Sequence, residues 1–168
     1  MVTGDGGTIS GVLTSTVDEV LPEADINIKP GSDPNSINTC ANGATPVTIW
    51  GSATFDVMTV NVSQTTLASA LVKTVGKASK TLCSIGDVGS FDGDEFDNLG
   101  APDTVDDLTC HFITVGLDVT DASTTADLNI VGCDGSTGSG TDGACVAGDL
   151  GFYDIISTDT VNIVKDCE

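Results

Sequence analysis

Between residues 87 and 107 the sequence places Asp87, Asp92, Asp94, Glu95, Asp97, Asp103, Asp106 and Asp107, eight of the 25 acidic residues of the chain. Carboxylates at this density raise one another's pKa values or hold a loop open unless cations neutralise them. Calcium fits such a set, because it accepts about six to eight oxygen ligands in irregular geometry from Asp, Asn and backbone carbonyls around glycine turns. Asp92-Gly93-Asp94 with Asp97 forms the candidate ligand cluster, and Asp87 and Asp107 bracket it. The competing explanation is a solvated acidic loop. Phe91 and Phe96 weigh against it, since aromatic side chains flanking a loop imply packed surroundings.

A loop of this kind must be carried by elements that fix its ends. Cys83 lies four residues before Asp87 and Cys110 three after Asp107, so antiparallel strands at 82–85 and 108–113 bring the two sulfurs opposite each other. A Cys83–Cys110 bridge then staples the loop base. Cys133 and Cys145 close the Gly/Ser/Asp-rich stretch 132–151, and elimination leaves Cys40 with Cys167. The alternative is free buried thiols. No C-x-x-C pair occurs, which disfavours zinc, and six cysteines as disulfides imply an oxidising, extracellular compartment. The first residues, Met1–Asp5, carry no charged and apolar leader, so that compartment rests on the cysteines alone. Asn61-Val62-Ser63 is a formal glycosylation triplet.

The chain of 168 residues is long enough for one domain with its own core. With 25 acidic against 5 basic residues the net charge is −20, and no arginine is present. So negative a surface repels phosphate backbones and anionic lipid, which argues against nucleic-acid partners and membrane attachment. No apolar run approaches the roughly 20 residues of a membrane helix, and a mean hydropathy of +0.18 is too high for a disordered acidic tail. The acids are 21 Asp and 4 Glu. Aspartate favours turns, caps and calcium loops, whereas helical surfaces favour glutamate. A halophile's solvated surface also reaches such a charge but leaves the shortage of Glu unexplained.

Short apolar segments bounded by turn residues follow one another. Residues 9–17 form an extended arm with Ile9, Leu13 and Val17 on one face, and Leu21-Pro22-Glu23-Ala24 reads as a linker. Strands are expected at 25–30, with Ile26 and Ile28 inward, and at 47–50, 108–113, 125–131 and 159–164. The stretch 55–62 alternates weakly, and 66–75 fits helix or strand, with strand preferred among so many β signals. The expectation is an all-β domain at 25–168, a β-sandwich of Ig-like or jelly-roll-like kind with long acidic loops, preceded by an N-terminal arm and linker at 1–24.

The run Ile26-Asn27-Ile28-Lys29-Pro30-Gly31-Ser32-Asp33-Pro34-Asn35-Ser36-Ile37-Asn38 resembles the IKPGSDPNSIN domain of archaeal and bacterial secreted and surface proteins. Pro46-Val47-Thr48-Ile49, Phe55-Asp56-Val57-Met58-Thr59-Val60 and Asp107-Leu108-Thr109-Cys110-His111-Phe112 are similar to its later segments, so the resemblance spans about residues 25–167. It implies an extracellular β-rich module with a calcium loop. The family loop carries acid or amide groups at its first, third and fifth positions and then glycine. Here Asp87 is followed at the third position by Gly89, and an insertion reaching about Asp106 separates the two halves.

Catalysis finds little support. The one histidine, His111, stands between Cys110 and Phe112 on an expected strand, and no nucleophile-elbow, zinc-protease, dinucleotide or Walker motif occurs. The expected function is an extracellular structural subunit, a homo-polymer assembling into a filament or tube by N-terminal donor-strand exchange and calcium. A module cut from a larger protein would end in linkers, and the N-terminal arm favours the stand-alone subunit. The alternative is a calcium-stabilised adhesion or ligand-binding module of a secreted or surface protein. Folding of residues 9–17 back onto their own domain is the plainer fate for the arm.

Overall fold

The computed structural model describes residues 21–89, 101–134, 145–149 and 151–165. The fold is all-β. Its strands are β1 (Ile26–Ile28), β2 (Ser36–Asn38), β3 (Ala44–Ile49), β4 (Thr66–Leu67), β5 (Ala70–Leu71), β6 (Thr74–Val75), β7 (Lys80–Thr81), β8 (Cys83–Gly86), β9 (Asp107–Ile113), β10 (Thr125–Cys133), β11 (Phe152–Thr160) and β12 (Asn162–Lys165). One four-stranded sheet has the order β1-β3-β9-β8 and another the order β11-β10-β4-β5. Two-stranded pairs β12-β2 and β6-β7 flank them, the first of these parallel.

Alternation builds the core. In β9 the side chains of Leu108, Cys110 and Phe112 are buried, and in β10 those of Ala126, Leu128 and Ile130 are buried. Both sets belong to one hydrophobic cluster with Ile26, Ile28, Val47 and Ile49. Since side chains alternate between faces along a strand, each sheet turns every second residue to this cluster.

Several elements differ from the sequence expectation. Residues 57–59 form a 3-10 turn, because the Asp56 carboxylate caps the Met58 amide (2.9 Å) and interrupts the extended run. The segment 66–75 is three two-residue strands instead of one; Ala68 and Ser69 take left-handed φ values of 39° and 68° and fold β4 back onto β5. The expected terminal strand at 159–164 divides at Val161 between β11 and β12, which belong to different sheets. Most of β11 lies in the stretch Phe152–Thr158, where no strand was expected, and β2 at Ser36–Asn38 is a further strand that was not expected.

The run 29–38 acts as a corner clasp. Lys29 and Gly31 adopt left-handed φ values of 54° and 81°, and the Lys29 ammonium donates to the Ser36 carbonyl. The buried Asn35 side chain donates to the Thr160 carbonyl (3.0 Å), and the Asn35 carbonyl accepts from the Asn162 amide (3.0 Å). This sequence therefore ties β1, β2, β11 and β12 together through its polar groups.

The two margins of the paired sheets differ. At one, Val72 bridges to Phe112 and the Lys73 amide donates to the His111 carbonyl (2.7 Å), so backbone bonds join the sheets. At the other, β1 and β11 approach without a ladder. Side chains hold them: the Ile28 amide donates to Asp159 Oδ2 (2.7 Å) and Ser157 Oγ donates to the Ala24 carbonyl (2.6 Å).

Candidate functional site

The base of the acidic loop rises from β8 and β9. Their register pairs Cys83 with Cys110 and Gly86 with Asp107. The neighbouring amide of His111 bonds to the Leu82 carbonyl (3.0 Å), which makes 83 and 110 a non-hydrogen-bonded pair, the closer kind in an antiparallel ladder. Their Cα atoms stand 4.1 Å apart and the sulfurs are bonded. Cys133 is bonded to Cys145. Cys40 is also disulfide-bonded, and its expected partner Cys167 lies outside the described residues.

Asp107 opens β9 and is buried. Its Oδ1 accepts the Gly51 amide (3.0 Å) and its Oδ2 the Val88 amide (2.9 Å), so one carboxylate fastens the ends of β3 and β8 to the start of β9. Burial raises this carboxyl above its ordinary value; the two amide bonds oppose the shift, and the charges of Asp103 and Asp87 add to it. Gly51 permits the approach, since a Cβ there would overlap the Asp106 carbonyl oxygen and meet Val105.

Asp87 works the same way one step outward. Its oxygens accept the amides of Asp103 (3.1 Å) and Thr104 (2.8 Å), and Asp103 in turn accepts the Val105 amide (2.9 Å). The two bracketing carboxylates thus bind backbone, each oxygen accepting one amide. Asp92, Asp94 and Asp97 lie outside the described residues. Among the described residues no three acidic, histidine or cysteine groups form a set that could hold a metal ion. The sequence showed the carboxylates but not their partners, because Gly51, Val88, Asp103 and Thr104 offer only main-chain groups.

The Asn61-Val62-Ser63 triplet is tied into the fold. Asn61 is buried; its Oδ1 accepts from Ser63 Oγ (2.7 Å) and its amide donates to Gln64 Oε1 (3.1 Å).

A second feature lies at the open margin. Register decides which backbone groups of β11 face outward. The amide of Val161 bonds to the Thr124 carbonyl (2.9 Å) and that of Asp134 to the Gly151 carbonyl (2.8 Å), so odd-numbered residues of β11 bond β10. The amides and carbonyls of Asp154, Ile156 and Thr158 therefore point away from β10. Beyond them the edge is capped: the Phe152 amide reaches the Asp149 carbonyl (3.1 Å), and the Thr160 carbonyl accepts from Asn35. On β1, the Trp50 amide bonds to the Asp25 carbonyl (2.9 Å) and the Lys29 amide to the Pro46 carbonyl (2.8 Å), so the backbone groups of Ile26 face the same gap. Over this gap runs a cleft of about 910 Å³ between residues 21–27 and 154–159. Ile156 is 66 % exposed and Leu21 54 % exposed along it. The arm residues Ile9, Leu13 and Val17 lie outside the described residues.

Compared with protein-family models, curated proteins and solved structures, the chain finds no match. No helix among the described residues is long and apolar enough to cross a membrane.

Proposed function

We propose that the protein is an extracellular structural subunit, a β-sandwich of Ig-like or jelly-roll-like kind, that assembles into a filament or tube by donating its N-terminal strand to a neighbour, with calcium at the acidic loop and the contacts. The observation that carries this reading is the asymmetry of the two margins: one joined by backbone bonds, the other, among the described residues, open at Asp154, Ile156 and Thr158. An unpaired edge is a template for strand addition. Strand addition that runs head to tail between identical copies builds an open filament when its rotation does not close into a ring. Copies that each carry −20 repel, which gives divalent cations a place in the polymer. The paired cysteines and the resemblance of residues 26–38 to secreted and surface domains support the extracellular setting.

Electron microscopy and sedimentation of the full chain, with calcium and with chelator, test the reading. Polymer in calcium, and monomer from a chain lacking residues 1–20, are the expected results. A full chain that stays monomeric in abundant calcium refutes it. A second reading, a calcium-stabilised adhesion or ligand-binding module, draws on the size of the cleft, which falls within the range of small-molecule sites; it predicts a monomer whose melting temperature rises with a bound ligand.

A further inference from the structure

We infer that the cleft between residues 21–27 and the outer edge of β11 is the acceptor site for residues 9–17 of a second copy of this chain. This rests on the assembly reading above and names its contact. The open groups at Asp154, Ile156 and Thr158 form one continuous edge, three amides and three carbonyls, bounded by the capped residues Phe152 and Thr160. Ile26 presents one more amide and carbonyl from across the gap. A strand laid along this edge pairs with β11 over the cleft, beside the points where Ser157 and Asp159 already reach β1 and the Ala24 carbonyl. Nine extended residues span about 30 Å, longer than the five-residue edge from 154 to 158.

The chemistry of the walls selects the occupant. Glu23, Asp25, Asp154 and Asp159 line the cleft beside the exposed Ile156 and Leu21. An acidic segment is repelled there, whereas Ile-Ser-Gly-Val-Leu-Thr-Ser-Thr-Val at 9–17 carries no charge and presents Ile9, Leu13 and Val17 on one face.

The donor comes from another copy because of the chain that joins it to the cleft. Leu21 already lies on the cleft wall. To fill its own cleft, the segment 9–17 has to reverse direction within residues 18–21. Pro22 restricts Leu21 to extended conformations, and of Asp18, Glu19 and Val20 only Asp18 favours turns, with no glycine beside it to complete a tight reversal. A segment that runs on instead of reversing reaches a neighbour.

Proline at position 156 removes an outward amide and leaves the β10 ladder intact, as tolerated on an edge strand. The test compares the full chain with Ile156→Pro and Ile156→Thr, the latter removing the apolar side chain but keeping the amide. Each is measured for calcium-dependent polymerisation, for binding of a synthetic 9–17 peptide, and for hydrogen exchange at Asp154, Ile156 and Thr158. The expected result is polymer and peptide binding for the parent, both weakened at least about tenfold by the proline and less by the threonine, with the edge amides protected only on assembly. Near-ultraviolet dichroism equal to the parent's keeps a folding defect apart from an edge defect; if the proline variant fails this check, exchange at the edge amides of the parent decides alone. Polymer whose edge amides still exchange freely overturns the acceptor assignment and spares the assembly reading. Peptide binding to a monomeric parent, lost in the proline variant, supports the acceptor and sinks assembly. A monomer with edge amides already protected at every concentration shows the arm in its own cleft and overturns the inference.

Discussion

Replacing Asp107 by alanine isolates what holds the acidic loop to the sheet. The substitution leaves the amides of Gly51 and Val88 without their acceptor. A buried amide left unpaired costs about 1–3 kcal/mol, and two cost about 2–6 kcal/mol before relief. Two effects reduce this. Val88 is 37 % exposed, so water can reach its surroundings, and the variant no longer buries a carboxylate whose charge burial disfavours. The net loss is about 2–4 kcal/mol, which for a chain of this size lowers the melting temperature by about 5–15 °C. Urea unfolding with disulfides intact measures it, in excess calcium and in chelator. Because the partners are main-chain amides, the loss persists in chelator; under the calcium proposal it is larger when the ion is present. A loss below about 0.5 kcal/mol in chelator refutes the clasp.

Three further outcomes follow from the packing. Gly132→Ala sets a methyl group against the Tyr153 phenol and the Thr59 carbonyl and disturbs the Thr59–Tyr153 hydroxyl bond (2.6 Å), so chemical denaturation should show a loss of about 2–4 kcal/mol; an unchanged midpoint contradicts the placement of Tyr153. Removing the Cys83–Cys110 bridge by a double serine substitution frees a loop of sequence separation 27 and should cost about 3–4 kcal/mol by the chain-entropy argument, against about 3 kcal/mol for Cys133–Cys145 at separation 12, as read by melting of each variant. Burial pushes the Tyr153 phenol from 10.0 up to about 12, opposed by its bond to Thr59. The native state then holds that proton longer than the unfolded chain, so its contribution is complete below pH 10 and is lost as pH rises toward 12; a phenolate absorbance titration showing native Tyr153 ionising at its ordinary value contradicts this.

Elements whose information is local were legible in the residues alone. Strict alternation in 108–113 specified β9 and its buried face, and Ile26 with Ile28 specified β1, because a period of two reads the same in sequence and in space. The bridge between Cys83 and Cys110 was legible for a related reason: two strands closing one loop fix which residues stand opposite. What depends on distant chain was not legible. Backbone sign at Ala68 and Ser69 broke the segment 66–75, yet neither residue type announces a left-handed turn. The strand Phe152–Thr158 was hidden because its residues do not alternate cleanly, with apolar Phe152 and Ile156 on the face turned away from the core and polar Ser157 on the inward one, and only its register with β10 decides that Asp154, Ile156 and Thr158 present their amides to the sheet edge. Carboxylates at 87 and 107 stood out in the sequence as ligands for a cation, but their observed partners are amides brought in from residues 51, 88, 103 and 104. Main-chain donors are common to every residue type except proline, so only the tertiary structure could decide which of them meet those carboxylates.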